Sequence, residues 1–83
     1  MSGAGDDGSG VVLEVDARGL RCPLPVIRLA AAAAALPSGA RVAVLTTDPA
    51  ASTDVPAWAR MRGHRVVADQ DRGDHRHLVV ELG

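Results

Sequence analysis

Two prolines set ahead of an alanine run constrain this chain more than any other feature. Pro23 and Pro25 precede six consecutive alanines, Ala30 to Ala35. Alanine is the strongest helix former, and the residues from Leu24 to Leu36 favour a helix throughout. Proline suits the first turn, where backbone N–H groups lack an intrahelical partner, and damages a helix further in. The prolines therefore set a helix start near Pro23. Upstream, Val11-Val12-Leu13-Glu14-Val15 has the alternating, β-branched character of a strand, and Gly19 breaks it. Cys22, the only cysteine, falls at or next to the N-cap, where strand hands over to helix.

That position has chemical consequences. A helix N-terminus carries partial positive charge and free N–H donors, here expected from Leu24 and Val26. A thiolate there is stabilised, so Cys22 is expected to have a lower pKa than an ordinary thiol and to stay ionised and reachable at neutral pH. Arg21 beside it, with Arg18 and Arg28 nearby in sequence, adds to the effect. The same field would favour a persulfide anion, Cys–S–S⁻. The competing reading is a small buried hydrophobe, common for free cysteine. Neighbouring arginines and two prolines favour a tight, partly exposed loop instead.

Composition narrows the remaining choices. Eighty-three residues allow one small domain. Residues 1–10 are mostly glycine, serine and aspartate with little to bury, and read as a disordered tail; residues 11–83 read as a single domain. A net charge of −1 gives no bulk attraction to nucleic acid or to an anionic membrane. Lysine, tyrosine and phenylalanine are absent, which argues against base stacking and direct RNA contact. The apolar runs are too short to span a bilayer, and no signal-peptide core begins the chain. A lone cysteine forms no internal disulfide, which fits a reducing cytoplasm. It also excludes an intramolecular dithiol cycle. His75 and His77, two apart on an expected strand, share a face, and His64 is a third imidazole. A firm zinc site wants three or four ligands, so these read as solvated strand residues; no metal and no cofactor is expected.

The rest of the chain supplies scaffold. Val26, Leu29, Ala33 and Leu36 make the buried stripe of the first helix. Pro37-Ser38-Gly39 ends it. Arg41–Thr46 is apolar on both faces, as a central strand is. Asp48-Pro49 resembles a helix start, but Pro56 lies too deep for one unbroken helix. The expectation is a turn over Pro49 to Thr53, then a second start with Asp54 as cap and Pro56 in the first turn, running to Arg62. His64–Ala68 and His77–Leu82 read as strands joined by a hairpin turn over Gln70–Asp74. The order is βαβαββ: an α/β (α+β) two-layer sandwich, a mixed four-stranded sheet covered on one face by two helices. The first βαβ unit should cross over right-handed with parallel strands. That puts Cys22 at the carboxyl end of strand one, the edge where open α/β sheets usually place chemistry.

These residues resemble the TusA/SirA-like sulfur-carrier family. The resemblance rests on Asp16-x-x-Gly19-x-x-Cys22-Pro23-x-Pro25, then Thr47-Asp48-Pro49-Ala50, then Asp54-Val55-Pro56-Ala57-Trp58, then Gly63-His64 before the third strand. It implies a cytoplasmic sulfurtransferase that accepts a persulfide sulfur from a donor, a cysteine desulfurase or rhodanese-like protein. The sulfur is relayed to an acceptor protein in tRNA thiolation, cofactor assembly or sulfur metabolism. Carried over by position, Cys22 would bear the sulfur. Pro23 and Pro25 would shape its loop, and Asp16 and Gly19 would hold the approach. Asp48, Asp54 and Pro56 would build helix two. Basic residues that some members carry along helix one are Ala30 and Ala31 here, and an arginine before the Asp-x-Pro motif is Thr53. The alternative is a regulatory or protein-binding module of the same fold, in which Cys22 is not essential.

Overall fold

The computed structural model describes residues 10–83. The tail expected over residues 1–10 lies, except for Gly10, outside the described residues. The elements are β1 (Val11–Ala17), α1 (Leu24–Ala34), β2 (Arg41–Thr46), α2 (Ala51–Met61), β3 (Arg65–Asp71) and β4 (Arg76–Glu81). They form one mixed sheet in the order β1-β2-β4-β3. β1 pairs parallel with β2, from Val11 opposite Arg41 to Ala17 opposite Thr46. β4 runs antiparallel to both β2 and β3. Both helices lie on the same face, as the residue order required.

The hydrophobic pattern explains this arrangement. β2 is buried on both faces from Val42 to Leu45, because it is an inner strand. Val42 and Val44 meet Leu78, Val80 and Leu82 of the β4 segment beneath Leu29 of α1 and Val55 and Ala59 of α2. Each fully buried aliphatic side chain contributes about 1.5–3 kcal/mol, so this layer carries most of the stability. Val26, Ala33 and Leu36 pack partly buried against it, together with Trp58. Met61, by contrast, is exposed.

α1 ends at Ala34 rather than Leu36. The Ala35 and Leu36 N–H groups turn back to the carbonyls of Ala32 and Ala33, three residues away. Pro37 excludes an α conformation at the preceding residue, so the last turn tightens. α2 departs further from expectation. It is one helix from Ala51, Asp54 is not its cap, and Pro56 sits inside it. The reason lies in the first turn. The N–H groups of Ala51, Ser52 and Thr53 bond carbonyls three residues back, and only Asp54 makes an α-type bond, to Ala50 at 2.9 Å. The turn expected over Pro49 to Thr53 therefore exists but flows directly into the helix. Pro56 falls in the second turn and removes one bond there. β3 is longer than expected, running to Asp71, and the hairpin turn shifts to residues 72–75. Arg72 N–H bonds the His75 carbonyl at 2.8 Å, and Gly73 takes the left-handed φ of +93° that the turn requires.

Candidate functional site

Because β1 and β2 are parallel neighbours, the loops that follow them leave the sheet at the same edge. The two loops are tied together. Gly19, at φ +80°, donates its N–H to Thr47 Oγ1 at 2.9 Å. Cys22 donates its N–H to Asp48 Oδ2 at 2.7 Å. The other oxygen of Asp48 accepts the Ala50 N–H at 3.0 Å, and Thr46 Oγ1 accepts the Asp48 N–H at 3.2 Å. One carboxylate thus joins the cysteine loop to the start of α2. Those N–H donors, aided by Arg21, hold the Asp48 carboxyl below its ordinary pKa.

Cys22 sits one residue before the N-cap, Pro23, and the Cys22–Pro23 peptide bond is cis. Pro25 lies in the first turn, buried. The thiol is half-buried and packed against the edge of the core, neither sealed under it nor placed mid-strand. Its electrostatics overturn the expectation of a depressed pKa. Burial, a hydrogen bond to the Asp54 carboxylate, and the charges of Asp54 and Asp48 push the thiol up to about 11. The Leu24 N–H, expected to face the sulfur, is taken by the Arg21 carbonyl at 2.9 Å. Arg21 acts on Asp48. Arg18 is engaged by Asp16 through two bonds of 2.9 Å, which with the Arg18 N–H hold Asp16 down to about 2. The resting sulfur is therefore a protonated thiol, at a helix N-terminus whose positive end two carboxylates offset.

The structure thus ties Gly19 to Thr47 and Cys22 to the adjoining Asp48, with Asp54 against the sulfur. Asp16 shapes the turn after β1 through Arg18. Pro56 lies within α2, two residues beyond Asp54. Sequence reasoning assigned Asp48 and Asp54 to the build of helix two and left Thr47 out of the site. The signal that finds them is the parallel β1–β2 pairing, which forces both loops to one edge. A cleft of about 360 Å³ opens beside the cysteine loop between Leu20, Arg21 and Pro49. A second, of about 250 Å³, lies across Thr47–Pro49 toward His75 and Arg76.

The histidines are separately engaged. His75 lies in the hairpin turn, not on a strand, with Nδ1 2.6 Å from Asp74. His77 Nε2 faces Glu14 at 3.7 Å. His64 Nδ1 accepts the Gly83 N–H at 3.0 Å. Among the described residues no group of three or more His, Cys, Asp or Glu is placed to hold a metal ion, and no helix is long and apolar enough to cross a membrane.

A two-layer sandwich with a single cysteine at the head of its first helix, clamped by an aspartate from the neighbouring loop, defines a small one-thiol α+β class. Residues 13–81 match the family model for sulfurtransferase TusA. The chain belongs to this TusA/SirA-like family. It is 40% identical over 69 residues to a putative sulfur carrier protein, YrkI, of Bacillus subtilis, covering 83% of this chain and 92% of that one. It is 34% identical over 68 residues to the sulfur carrier protein TusA of Allochromatium vinosum, covering 82% and 90%. The crystal structure of a SirA-like protein from Desulfitobacterium hafniense superposes with a TM-score of 0.76 at 26% identity, covering 86% of this chain and 97% of that one.

Proposed function

We propose that this protein is a sulfur carrier that accepts a persulfide sulfur on Cys22 from a donor protein and passes it to an acceptor thiol. The observation that carries the reading is the lone thiol at the head of α1, held by its own N–H on Asp48 at 2.7 Å. The relatives named as sulfur carriers support it. In the loading step the Cys22 sulfur attacks the outer sulfur of the donor's persulfide. A new S–S bond forms, the donor's S–S bond breaks, and the donor cysteine departs as a thiolate. The proton leaves Cys22 toward the Asp54 carboxylate, which already accepts its hydrogen bond, or toward water. In unloading an acceptor thiolate attacks the outer sulfur of Cys22–S–S⁻, and Cys22 is released. No net oxidation occurs, so one cysteine suffices.

The raised thiol pKa gives the step a condition. Ionisation at Cys22 is suppressed by burial and by the Asp54 and Asp48 carboxylates, and a docked partner that brings a cation to this edge offsets that suppression. The donor class is a cysteine desulfurase or rhodanese-like protein, with delivery in the cytoplasm to a relay serving tRNA thiolation, cofactor assembly or sulfur metabolism. Incubation with a cysteine desulfurase and cysteine should add one sulfur to wild type, read by mass spectrometry, and none to Cys22→Ser. An unmodified wild type, or an adduct that survives Cys22→Ser, overturns the proposal. In the former case the binding-module reading replaces it.

A further inference from the structure

Thr46 is the one fully buried polar residue among the described residues, 1% exposed. It ends β2, with Ala17 of β1 on one side and Arg76 of β4 on the other. Alternate residues of a strand share a face, so Thr46 follows Val42 and Val44 onto the side that carries the helices. Those two are core aliphatics, and a valine at position 46 would continue the pattern. A hydroxyl buried there costs free energy unless it is hydrogen-bonded. Thr46 Oγ1 accepts the Asp48 N–H at 3.2 Å.

That bond lies where the inner strand becomes a loop, and what it fixes reaches the thiol. From its anchored backbone the Asp48 carboxylate spans to the cysteine loop: Oδ2 takes the Cys22 N–H at 2.7 Å and Oδ1 the Ala50 N–H at 3.0 Å. The Asp48 charge also bears on the sulfur itself. A series therefore runs from β2 to Cys22: hydroxyl, aspartate, backbone of the sulfur-bearing residue. Thr47 makes a separate tie, its hydroxyl taking the Gly19 N–H at 2.9 Å. Cutting the Thr46 link leaves that tie, so the loop stays anchored at Gly19 while its Cys22 end gains freedom. Misplacing a reacting atom by about 1 Å can cost about a hundredfold in rate.

We infer that Thr46 is a positioning residue for sulfur exchange: its buried hydroxyl sets Asp48, and Asp48 in turn holds Cys22 where a partner's sulfur meets it. The inference rests on the carrier function proposed above. Packing does not call for the hydroxyl, because valine has nearly the same shape and is the more apolar.

Thr46→Val keeps the shape and removes the acceptor, whereas Thr46→Ser keeps the acceptor and removes a buried methyl. Two rates are read on each full chain at one pH: alkylation of Cys22 by iodoacetamide, and loading by a cysteine desulfurase with cysteine. In Thr46→Val alkylation should rise and its pH profile should move to lower pH, because the Asp48 charge is no longer pinned near the thiol. Loading should not follow, so the ratio of loading to alkylation should fall by about fivefold or more. In Thr46→Ser the ratio should stay within about twofold of wild type. An unchanged ratio in Thr46→Val overturns the inference. So does a ratio that falls as far in Thr46→Ser, which assigns the effect to packing. Should Thr46→Val fail to fold, Thr46→Ala against Thr46→Ser makes the same comparison, since both lose the methyl and only serine keeps the hydroxyl. If wild type is not loaded, the carrier reading fails and deuterium exchange of the Cys22 amide decides the link by itself. Exchange about tenfold faster in Thr46→Val than in wild type and Thr46→Ser upholds it, and unchanged protection overturns it.

Discussion

At the residue scale the main finding is a thiol held in its protonated form. With a pKa of about 11, Cys22 has far less thiolate at neutral pH than a free cysteine near 8.5. Part of that deficit is recovered, because a more basic thiolate is the better nucleophile, with a Brønsted slope near 0.45. Alkylation by iodoacetamide at pH 7.4 is therefore expected to run roughly tenfold to thirtyfold slower than for an unstructured cysteine peptide. Asp54→Asn removes the first-named charge, so its alkylation pH profile should move to lower pH and its rate at pH 7.4 should rise. An unmoved profile would show that burial alone raises the pKa. Asp48 has a different task, since its two oxygens hold N–H groups on separate loops. Asp48→Ala leaves both donors without that acceptor and should lower the urea midpoint of unfolding. Asp48→Asn should recover part of the loss, because its amide keeps one acceptor oxygen.

At the scale of elements, Pro56 separates the two descriptions of α2. A proline in a first turn stabilises a helix, whereas one in the second turn removes a backbone bond. The helix observed from Ala51 makes Pro56→Ala stabilising by up to about 1 kcal/mol, the recovered bond outweighing the extra freedom of the unfolded chain. A loss of stability would restore Asp54 as the helix start. The elements themselves were legible in the residues. The proline pair set the start of α1, the two-faced apolar run of β2 marked an inner strand, and the β4 alternation named its core face. What was not legible depended on through-space charge. Nothing in local spacing says that Asp54 lies against Cys22 or that Arg18 is taken by Asp16. A helix-start argument applied to Cys22 alone therefore had the sign of its pKa shift wrong. The length of β3 escaped for a related reason: polar Gln70 and Asp71 read as turn and Asp69 was left out of the strand, yet pairing with β4 keeps all three in the ladder.

For the whole molecule, pH should erode stability from two sides, and the composition makes one side unusually clean to read. Asp16, Asp48, Asp74 and Glu81 are all held below ordinary carboxylate values by hydrogen-bond donors and cations. Groups with depressed pKa stabilise the fold above their unfolded pKa, near 4, and lose that contribution as pH falls through their folded values, about 2 for Asp16. Glu81 links β2 and β3 through Arg41 and Arg65, so Glu81→Gln should flatten part of the acid limb, and added salt should shrink it. On the alkaline side the sign reverses. Cys22 is raised, so the native state keeps a proton that the unfolded chain releases. The contribution is whole below the ordinary thiol pKa and is lost as pH rises through about 11. With neither lysine nor tyrosine present, Cys22 is the only side chain that titrates between about pH 8 and 11. Thermal unfolding followed across that range should show the midpoint of wild type falling and that of Cys22→Ser staying level. If the two fall together, neither burial nor the carboxylates at the head of α1 exert a net hold on the thiol proton, and loading would need no cation from a partner.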